Sequence, residues 1–144
     1  MKISTRGRYA LKVMMELAKG DREEYISLKL ISERQQVSMK YLEQIIALLS
    51  RAGMVESFRG KSGGYRLTKD PSEYTAGDIL RAAEGSLAPI KCVEGACENS
   101  GHCSTFAFWE GLNRAINDYI DSTTLLSLAS REKEMEKSDT QCKI

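Results

Sequence analysis

The sequence has little proline, a single histidine and no long apolar run, and each shortage narrows what the chain can be. Two prolines in 144 residues, with no low-complexity stretch, argue against a largely disordered chain. Apolar runs extend over only a few residues, so no segment is expected to span a membrane. Residues 1–6 contain no apolar stretch of an export signal. We therefore expect a cytoplasmic protein with one folded domain and an appended element.

The shortage of histidine also limits catalysis. His102 stands alone, and no Ser/His/Asp arrangement, phosphate-binding loop or evident pair of acids accompanies it. Its neighbour Cys103 is weak evidence for a catalytic pair, because adjacent residues in a loop need not point together. The sequence therefore predicts that the protein is not an enzyme.

Charge is distributed unevenly although the net charge is only +1. Residues 1–70 carry 14 Lys and Arg against 8 Asp and Glu, a balance of +6, whereas residues 71–144 carry 7 against 12, a balance of −5. A basic first half is suited to a polyanion such as nucleic acid. An acidic second half indicates a different task, although helical surfaces are often unevenly charged without consequence.

Capping residues and apolar spacing predict four helices in the first part of the chain. Ser4 or Thr5 can cap the first helix, and Ser27, Ser38 and Thr75 can cap the next three. The third helix has the most regular pattern, with core residues spaced i, i+3, i+4 and i+7. These core residues are Leu42, Ile45, Ile46 and Leu49.

Two strand-like runs follow the third helix, at residues 54–58 and 65–68. The segment between them, Arg59–Gly64, is rich in glycine and carries two cations, which indicates a basic hairpin tip. Helices followed by a basic hairpin are typical of a winged helix-turn-helix. The predicted fold is therefore mainly α with a small β-hairpin, and residues 1–85 form the winged helix-turn-helix domain.

A long C-terminal helix is predicted from about Ser104. Its apolar stripe has no obvious partner in so small a domain, so we expect it to dimerise the protein; folding back onto its own chain is the alternative. We assign residues 86–103 to a cysteine-bearing sensor loop, residues 104–130 to the dimerisation helix and a short docked turn, and residues 131–144 to a mobile charged tail. The stripe consists of Phe106, Trp109, Leu112, Ile116, Tyr119 and Ile120.

The third helix and the hairpin carry side chains suited to DNA. Gln can pair with adenine and Glu can accept from cytosine in the major groove, while wing cations contact the backbone or a narrow minor groove. An ordinary solvated helix face is the alternative for Glu43 and Gln44. The predicted DNA-binding residues are Ser38, Lys40, Tyr41, Glu43, Gln44, Arg59 and Lys61.

Three of the four cysteines, Cys92, Cys97 and Cys103, lie within twelve residues of one another. In a reducing compartment such a cluster indicates metal, iron–sulfur or redox chemistry rather than structural disulfides. The spacing lacks the CxxC pairs usual in structural zinc sites, whereas iron–sulfur clusters accept looser spacing. We favour an iron–sulfur cluster and keep a thiol redox switch and zinc as alternatives.

Two sequence runs, VSMKYLEQI at residues 37–45 and RGKSGGYRL at residues 59–67, resemble the signature of the Rrf2 family of bacterial transcription regulators. The resemblance extends from Met1 to about Leu128. It implies a homodimeric winged-helix repressor that reads a palindromic operator in double-stranded DNA. It also implies DNA contacts from residues of the two runs, namely Ser38, Tyr41, Glu43, Gln44 and Arg59.

The resemblance is closest to the iron–sulfur cluster regulators of the family, with [2Fe–2S] favoured over [4Fe–4S]. Cys92, Cys97 and Cys103 match the three cysteine ligands, with a first spacer one residue shorter than expected. Phe106 occupies the place of a ligating histidine, and Arg8 the place of an acidic ligand on the partner's first helix. We regard His102 as the first candidate for the fourth ligand. Cys142, Glu94, Glu98 or an exogenous ligand are the alternatives.

These observations predict a transcription regulator whose operator binding responds to cluster status, redox state or iron. Iron–sulfur assembly proteins would then be the cluster donors. Ordering of residues 92–103 by the cluster would set the placement of the two recognition helices, since the loop leads directly into the dimerisation helix. The alternative is a cluster-free repressor of the same family, controlled by a protein partner or by thiol oxidation.

Overall fold

The first helix, α1 (Thr5–Lys19), is central to the fold of this computed structural model, which describes residues 2–142 and side chains through Ser138. Ser4 caps α1 by accepting a hydrogen bond from the N–H of Gly7. The inner face of α1 buries Ala10, Val13 and Met14 completely. These residues have helical spacing, so one apolar stripe fixes the orientation of α1 on the core.

The second and third helices form the predicted helix-turn-helix. Helix α2 (Leu28–Gln35) is capped by Ser27 and α3 (Met39–Arg51) by Ser38, as predicted. The chain reverses between them at Gln36, which adopts the left-handed conformation with φ of 53°. The predicted core stripe of α3 is confirmed, because each of its members is at most 3% exposed. Those residues are Leu42, Ile45, Ile46 and Leu49.

A buried acid fastens α1 to α2. Glu16 is 2% exposed and accepts hydrogen bonds from Gln35 Nε2 at 2.7 Å and Arg34 Nη1 at 3.2 Å. Burial alone would raise the pKa of Glu16, but these hydrogen bonds and the nearby Lys19 ammonium outweigh burial and lower it. The carboxylate therefore stays ionised at neutral pH and holds the C-terminal end of α2, next to the turn, against α1.

The hairpin consists of β1 (Val55–Phe58) and β2 (Gly64–Leu67), which pair antiparallel with Val55 opposite Leu67. Ile26 forms an isolated antiparallel bridge to the outer edge of β2, since its N–H and C=O each bond to Tyr65 at 2.9 Å. A side chain at position 64 would meet the Ile26 carbonyl oxygen at 2.3 Å, so glycine is required for this approach. The wing is thereby anchored to the segment before α2.

Helix α4 (Ala76–Glu84) begins with a capping box between Thr75 and Asp78, after a short 3-10 turn at Pro71–Glu73. At its other end, Glu84 reaches the start of α1. Its Oε1 accepts from the hydroxyl of Ser4, from the N–H of Ser4 at 2.9 Å and from the N–H of Gly7 at 3.0 Å. The Ser4 hydroxyl and the two backbone N–H groups stabilise the carboxylate and lower the pKa of Glu84.

The C-terminal region differs from the prediction in two respects. Helix α5 (Phe106–Ser122) begins two residues later than expected, and Thr105 before it makes no side-chain cap. Helix α6 (Leu125–Cys142) replaces the predicted short turn and tail. Buried Leu125 and Ala129 anchor α6, and the segment after residue 130 is rich in Glu and Lys, which favour helix.

Ion pairs to α1 explain why α6 continues although it has no broad apolar face. Lys19 Nζ lies 3.2 Å from a carboxylate oxygen of Glu132 and 3.5 Å from one of Glu136. These two acids are four residues apart and so face the same side of α6. The side chain of Cys142, considered above as a ligand, lies outside the described residues.

The division of the chain into four regions stays a prediction. The described helices do pack around one apolar core, to which α1, α3, α4 and the first turn of α6 contribute. Among residues 2–142, none of the helices has the length and apolar character needed to cross a membrane.

Candidate nucleic-acid interface and cysteine segment

The outer face of α3 presents the polar side chains predicted to read DNA. Lys40, Glu43 and Gln44 are exposed, opposite the buried stripe. Their charged and amide groups form no ion pair or side-chain hydrogen bond with the residues that the structure describes. They are free to contact another molecule without first losing an internal partner.

The first turn of α3 is ordered by its cap and by aromatic packing. The Ser38 hydroxyl caps α3 by accepting a hydrogen bond from the Tyr41 N–H at 3.2 Å. Ser38 is also exposed. The half-buried Tyr41 ring packs edge-on against Tyr9 of α1, with ring centroids 6.0 Å apart. Lys12 lies over the Tyr9 ring, with its Nζ 5.1 Å from the centroid.

Tyr9 and Lys12 are not among the residues predicted to bind DNA. They lie on α1, far in sequence from the recognition helix, and only tertiary packing brings them beside Tyr41. Their spacing of three residues on one helix face was the available signal, since a lysine and an aromatic so placed can stack. Packing thus adds a cation beside the first turn of α3.

The wing carries its predicted cations at an exposed tip. Arg59 and Lys61 are exposed and lack ion-pair partners within the described part of the chain. Gly60 has φ of 132°, and a side chain at Gly63 would meet the Phe58 carbonyl oxygen at 2.4 Å. The tight tip therefore depends on glycine. It exposes two positive charges that have no ion-pair partner among the described residues.

An aromatic stack supports the base of the wing. Tyr25, before α2, packs against Phe58 with ring centroids 5.3 Å apart, and the Arg66 guanidinium lies 4.5 Å from the Tyr25 centroid. Arg66 Nε also bonds to Glu56 on the paired strand at 2.5 Å. These contacts orient the strands that present the tip.

The cysteine segment runs between α4 and α5 as a series of short turns. Hydrogen bonds join residues three apart, from the Ser100 N–H to the Cys97 carbonyl at 3.2 Å and from the His102 N–H to Asn99 at 3.0 Å. Cys92 and Cys103 are exposed and Cys97 is half-buried, and all three are free thiols. Local turns of this kind place few constraints on rearrangement of the segment.

Cys103 has the most distinctive environment of the three thiols. Its Sγ lies 3.5 Å from the Thr105 hydroxyl. This hydrogen bond, with further bonds from the backbone N–H groups of Thr105 and Phe106, lowers the pKa of Cys103. Thiolate, the form that binds iron, is therefore formed more readily at Cys103 than at an ordinary exposed cysteine.

The cysteine segment has the donor types that an iron–sulfur cluster needs, but not their arrangement. The donor types fit, because three free thiols lie close in sequence on an exposed segment. The arrangement does not, since among the described residues no group of three or more His, Cys, Asp or Glu side chains is placed to hold a metal ion. His102 is exposed and is not gathered with the thiols into such a group.

The stripe predicted for α5 divides into two faces. Trp109, Ile116 and Ile120 are half-buried against the rest of the chain. Leu112 is 37% exposed and Tyr119 68%, and the structure adds Phe108 at 64%. With exposed Ala115, the residues at 108, 112, 115 and 119 repeat at the spacing of a coiled-coil seam. We call these four residues the α5 seam.

A helix-turn-helix with a basic, glycine-tipped wing defines the class of winged-helix DNA-binding proteins. The Rrf2 family model, described as an iron-dependent transcriptional regulator, matches residues 3–131. The chain belongs to this family and is a DNA-binding transcription regulator rather than an enzyme.

Solved and curated relatives include two kinds of regulator. CymR of Bacillus subtilis is 43% identical over 90% of this chain and 91% of its own, and its structure superposes with a TM-score of 0.77. IscR of Vibrio parahaemolyticus is 37% identical over 98% of this chain and 84% of its own. The structure of T. potens IscR is 39% identical, covers 94% of this chain and 90% of its own, and gives a TM-score of 0.74.

Proposed function

We propose that the protein is a homodimeric, cytoplasmic repressor that binds a palindromic operator and responds to an iron–sulfur cluster held by Cys92, Cys97 and Cys103. The cluster part of the proposal rests on one observation above all: three free thiols on a surface segment that leads directly into α5. The description of the family as iron-dependent supports it. We favour a [2Fe–2S] cluster, delivered by iron–sulfur assembly proteins.

The α5 seam supports the dimer. Its spacing of four, three and four residues is that of paired helices, and three of its members are large apolar or aromatic side chains left in water. A symmetric dimer places the same face of each copy against the other, so one seam is sufficient. Two α3 helices would then face two half-sites of an operator.

DNA recognition is assigned to the exposed residues of α3 and the wing. Glu43 and Gln44 read base edges, while Arg59 and Lys61 contact the backbone or enter the minor groove. Ser38, Lys40 and Tyr41 lie at the first turn of α3 and contact phosphates or bases at the edge of the groove. The absence of internal ion pairs for these charges, within the described residues, supports this assignment.

Cluster binding would require the cysteine segment to change its conformation, because the described thiols are not gathered to hold a metal. A bound cluster supplies a redox-sensitive and oxygen-sensitive group. The chain's own part is to bring three thiols together, with Cys103 favouring the thiolate, and to pass the ordering of residues 92–103 to α5. His102 remains the first candidate for a fourth ligand, ahead of Glu94 and Glu98.

The test is an absorption spectrum of protein purified without oxygen, with iron and acid-labile sulfide assayed on the same sample. We expect visible charge-transfer bands with iron and sulfide in equal amounts, about two of each per chain for [2Fe–2S]. Replacing Cys92, Cys97 or Cys103 by Ser should remove the bands. Cys142→Ser should keep them if His102 is the fourth ligand, and their loss would assign the fourth position to Cys142 instead.

A colourless protein that takes up no iron and sulfide on reconstitution would contradict the cluster and leave the DNA-binding function in place. A cluster-free repressor of the CymR kind is the second candidate function. It is favoured by the 43% identity to CymR and by the separation of the donors in this structure. Its signal would then be thiol oxidation or a protein partner.

A further inference from the structure

Arg81 joins the DNA-binding domain to the end of the helix that carries the α5 seam. Its Nη1 lies 2.8 Å from Asp121 Oδ1 and its Nη2 lies 3.0 Å from Asp121 Oδ2, a two-point contact between α4 and α5. Nη2 also donates to Asn117 Oδ1 at 2.7 Å. A planar guanidinium bound at both nitrogens fixes orientation as well as distance.

Close helix packing surrounds this contact. A Cβ at Gly77 would lie 2.0 Å from Asp121 Oδ1 and 2.8 Å from Arg81 Nη1. Any side chain at position 77 would therefore displace the ion pair. Glycine lets α5 approach α4 at the level of Asp121, and the approach completes the two-point contact.

Backbone bonds fix the same end of α5. The Ala76 N–H bonds to the Thr123 carbonyl at 2.8 Å, and the Leu125 N–H bonds to the Tyr74 carbonyl at 2.9 Å. These bonds tie the α5–α6 connection to the start of α4. The other end of α5 follows the cysteine segment, in which the hydrogen bonds described above only close local turns.

We infer that Arg81 is a positioning residue for DNA recognition. By holding Asp121 and Asn117, it sets the angle between α4 and the α5 seam, and therefore the separation of the two α3 helices in the dimer. Half-site spacing on the operator is then determined partly at a contact that touches no DNA. This inference rests on the proposed dimer and operator.

The test uses the full chain and an operator selected from a random duplex library with the wild-type protein. Affinity is measured for the selected duplex, for duplexes with the half-sites moved by one base pair in either direction, and for a duplex with one half-site. The variants are Arg81→Gln, Asp121→Asn and their combination. Arg131→Gln, which removes an exposed arginine of α6, is the control.

We expect each variant to bind the two-half-site operator about tenfold more weakly and to lose most of its preference for the original spacing. Binding to the single half-site should stay within twofold of wild type. The double variant should lose no more than the stronger single variant, because both changes break the same contact between Arg81 and Asp121. The control should match wild type on every duplex.

Unchanged spacing preference in the variants would overturn the inference, and so would an equal loss on the single half-site, which indicates a folding or direct contact effect. Thermal unfolding of each variant separates these two causes. If the wild-type chain selects no palindrome, or remains monomeric, the proposed dimeric operator binding fails. That result comes from the wild-type protein alone, so failure of the proposed function is distinguished from failure of the inference about Arg81.

Discussion

At the scale of single residues, recognition and folding are separated on α3. The residues that hold the helix on the core are buried, whereas Lys40, Glu43 and Gln44 are exposed and lack internal ion pairs within the described chain. Tyr41 is the exception, because it is half-buried against Tyr9 and is also proposed to contact DNA. Substitutions on the outer face should therefore change DNA binding with little change in the free energy of unfolding.

Gln44 provides the sharpest test of base reading. Gln44→Ala should remove a bidentate contact and cost about 1–3 kcal/mol of discrimination at one base pair. Affinity for random duplex should change little, and the preferred base should be lost at one position of each half-site. Selection from a random library with both proteins measures this. An unchanged base preference at every position would contradict the assignment of Gln44.

Lys61 on the wing serves as a contrast to Gln44, because the phosphate contact proposed for Lys61 carries no sequence information. Lys61→Ala should weaken binding to all duplexes by a similar factor. The slope of log affinity against log salt should fall in magnitude by about 0.9. A selective loss on one sequence would instead mean that Lys61 reads bases.

At the scale of elements, a side chain of α4 supplies the acidic group that the first turn of α1 lacks. The first turn of α1 contains no acidic residue, and Glu84 supplies the carboxylate that its N-terminal N–H groups lack. The domain is thereby closed between its first helix and its fourth. The same contact explains Gly7, where a Cβ would lie 2.4 Å from Glu84 Oε1.

Glu84→Gln should lower the free energy of unfolding at pH 7 by about 1 kcal/mol, the usual cost of losing a helix cap. Because the folded pKa of Glu84 is lowered, its stabilisation is present above the ordinary glutamate pKa and is lost as pH falls through the folded value. The difference between wild type and variant should therefore shrink in acid. Denaturant unfolding at pH 7 and at successively lower pH measures this. A difference that grows in acid would contradict it.

At the scale of the whole molecule, the exposed α5 seam is the feature that a single chain leaves unsatisfied. Leu112→Glu would place a charge in the proposed dimer interface, where an unpaired buried charge costs several kcal/mol. We expect a monomer, and operator binding at least about 100-fold weaker, since each 1.4 kcal/mol is a factor of ten. Sedimentation and operator titration are the measurements.

Arg114→Gln is the control for this substitution, because Arg114 is exposed on another face of α5. It should remain dimeric and bind as wild type does. Helical content measured by circular dichroism should be unchanged in both variants. A Leu112→Glu protein that stays dimeric would show that the copies meet elsewhere.

Much of the fold was predictable because its signals are local. A serine or threonine before an apolar stripe specifies where a helix begins, and the predicted caps Ser27, Ser38 and Thr75 were confirmed. Of the two candidates for the first helix, Ser4 and Thr5, the cap is Ser4. The hairpin followed from a glycine-rich segment between two strand-like runs. The residues assigned to DNA contact stay predictions, although their exposed positions are those that such contacts need.

What the sequence did not reveal depends on contacts between distant residues. Helix α6 was missed after residue 130 because its support comes from Lys19, more than a hundred residues earlier. The α5 stripe was treated as one face, whereas packing half-buries Trp109 and leaves Phe108 exposed. No periodicity within one segment contains this information.

The sequence by itself determined the starts of the first four helices, the buried stripe of α3, the basic wing and the presence of three neighbouring thiols, because each depends on residue type and short-range spacing. Tertiary structure alone decided that Glu84 accepts hydrogen bonds at the start of α1, that Arg81 pairs with Asp121 and that Tyr9 packs against Tyr41. It also left the described thiols ungathered. The three long-range contacts share one physical reason, since side chains distant in sequence meet only where the apolar core sets the helices against one another.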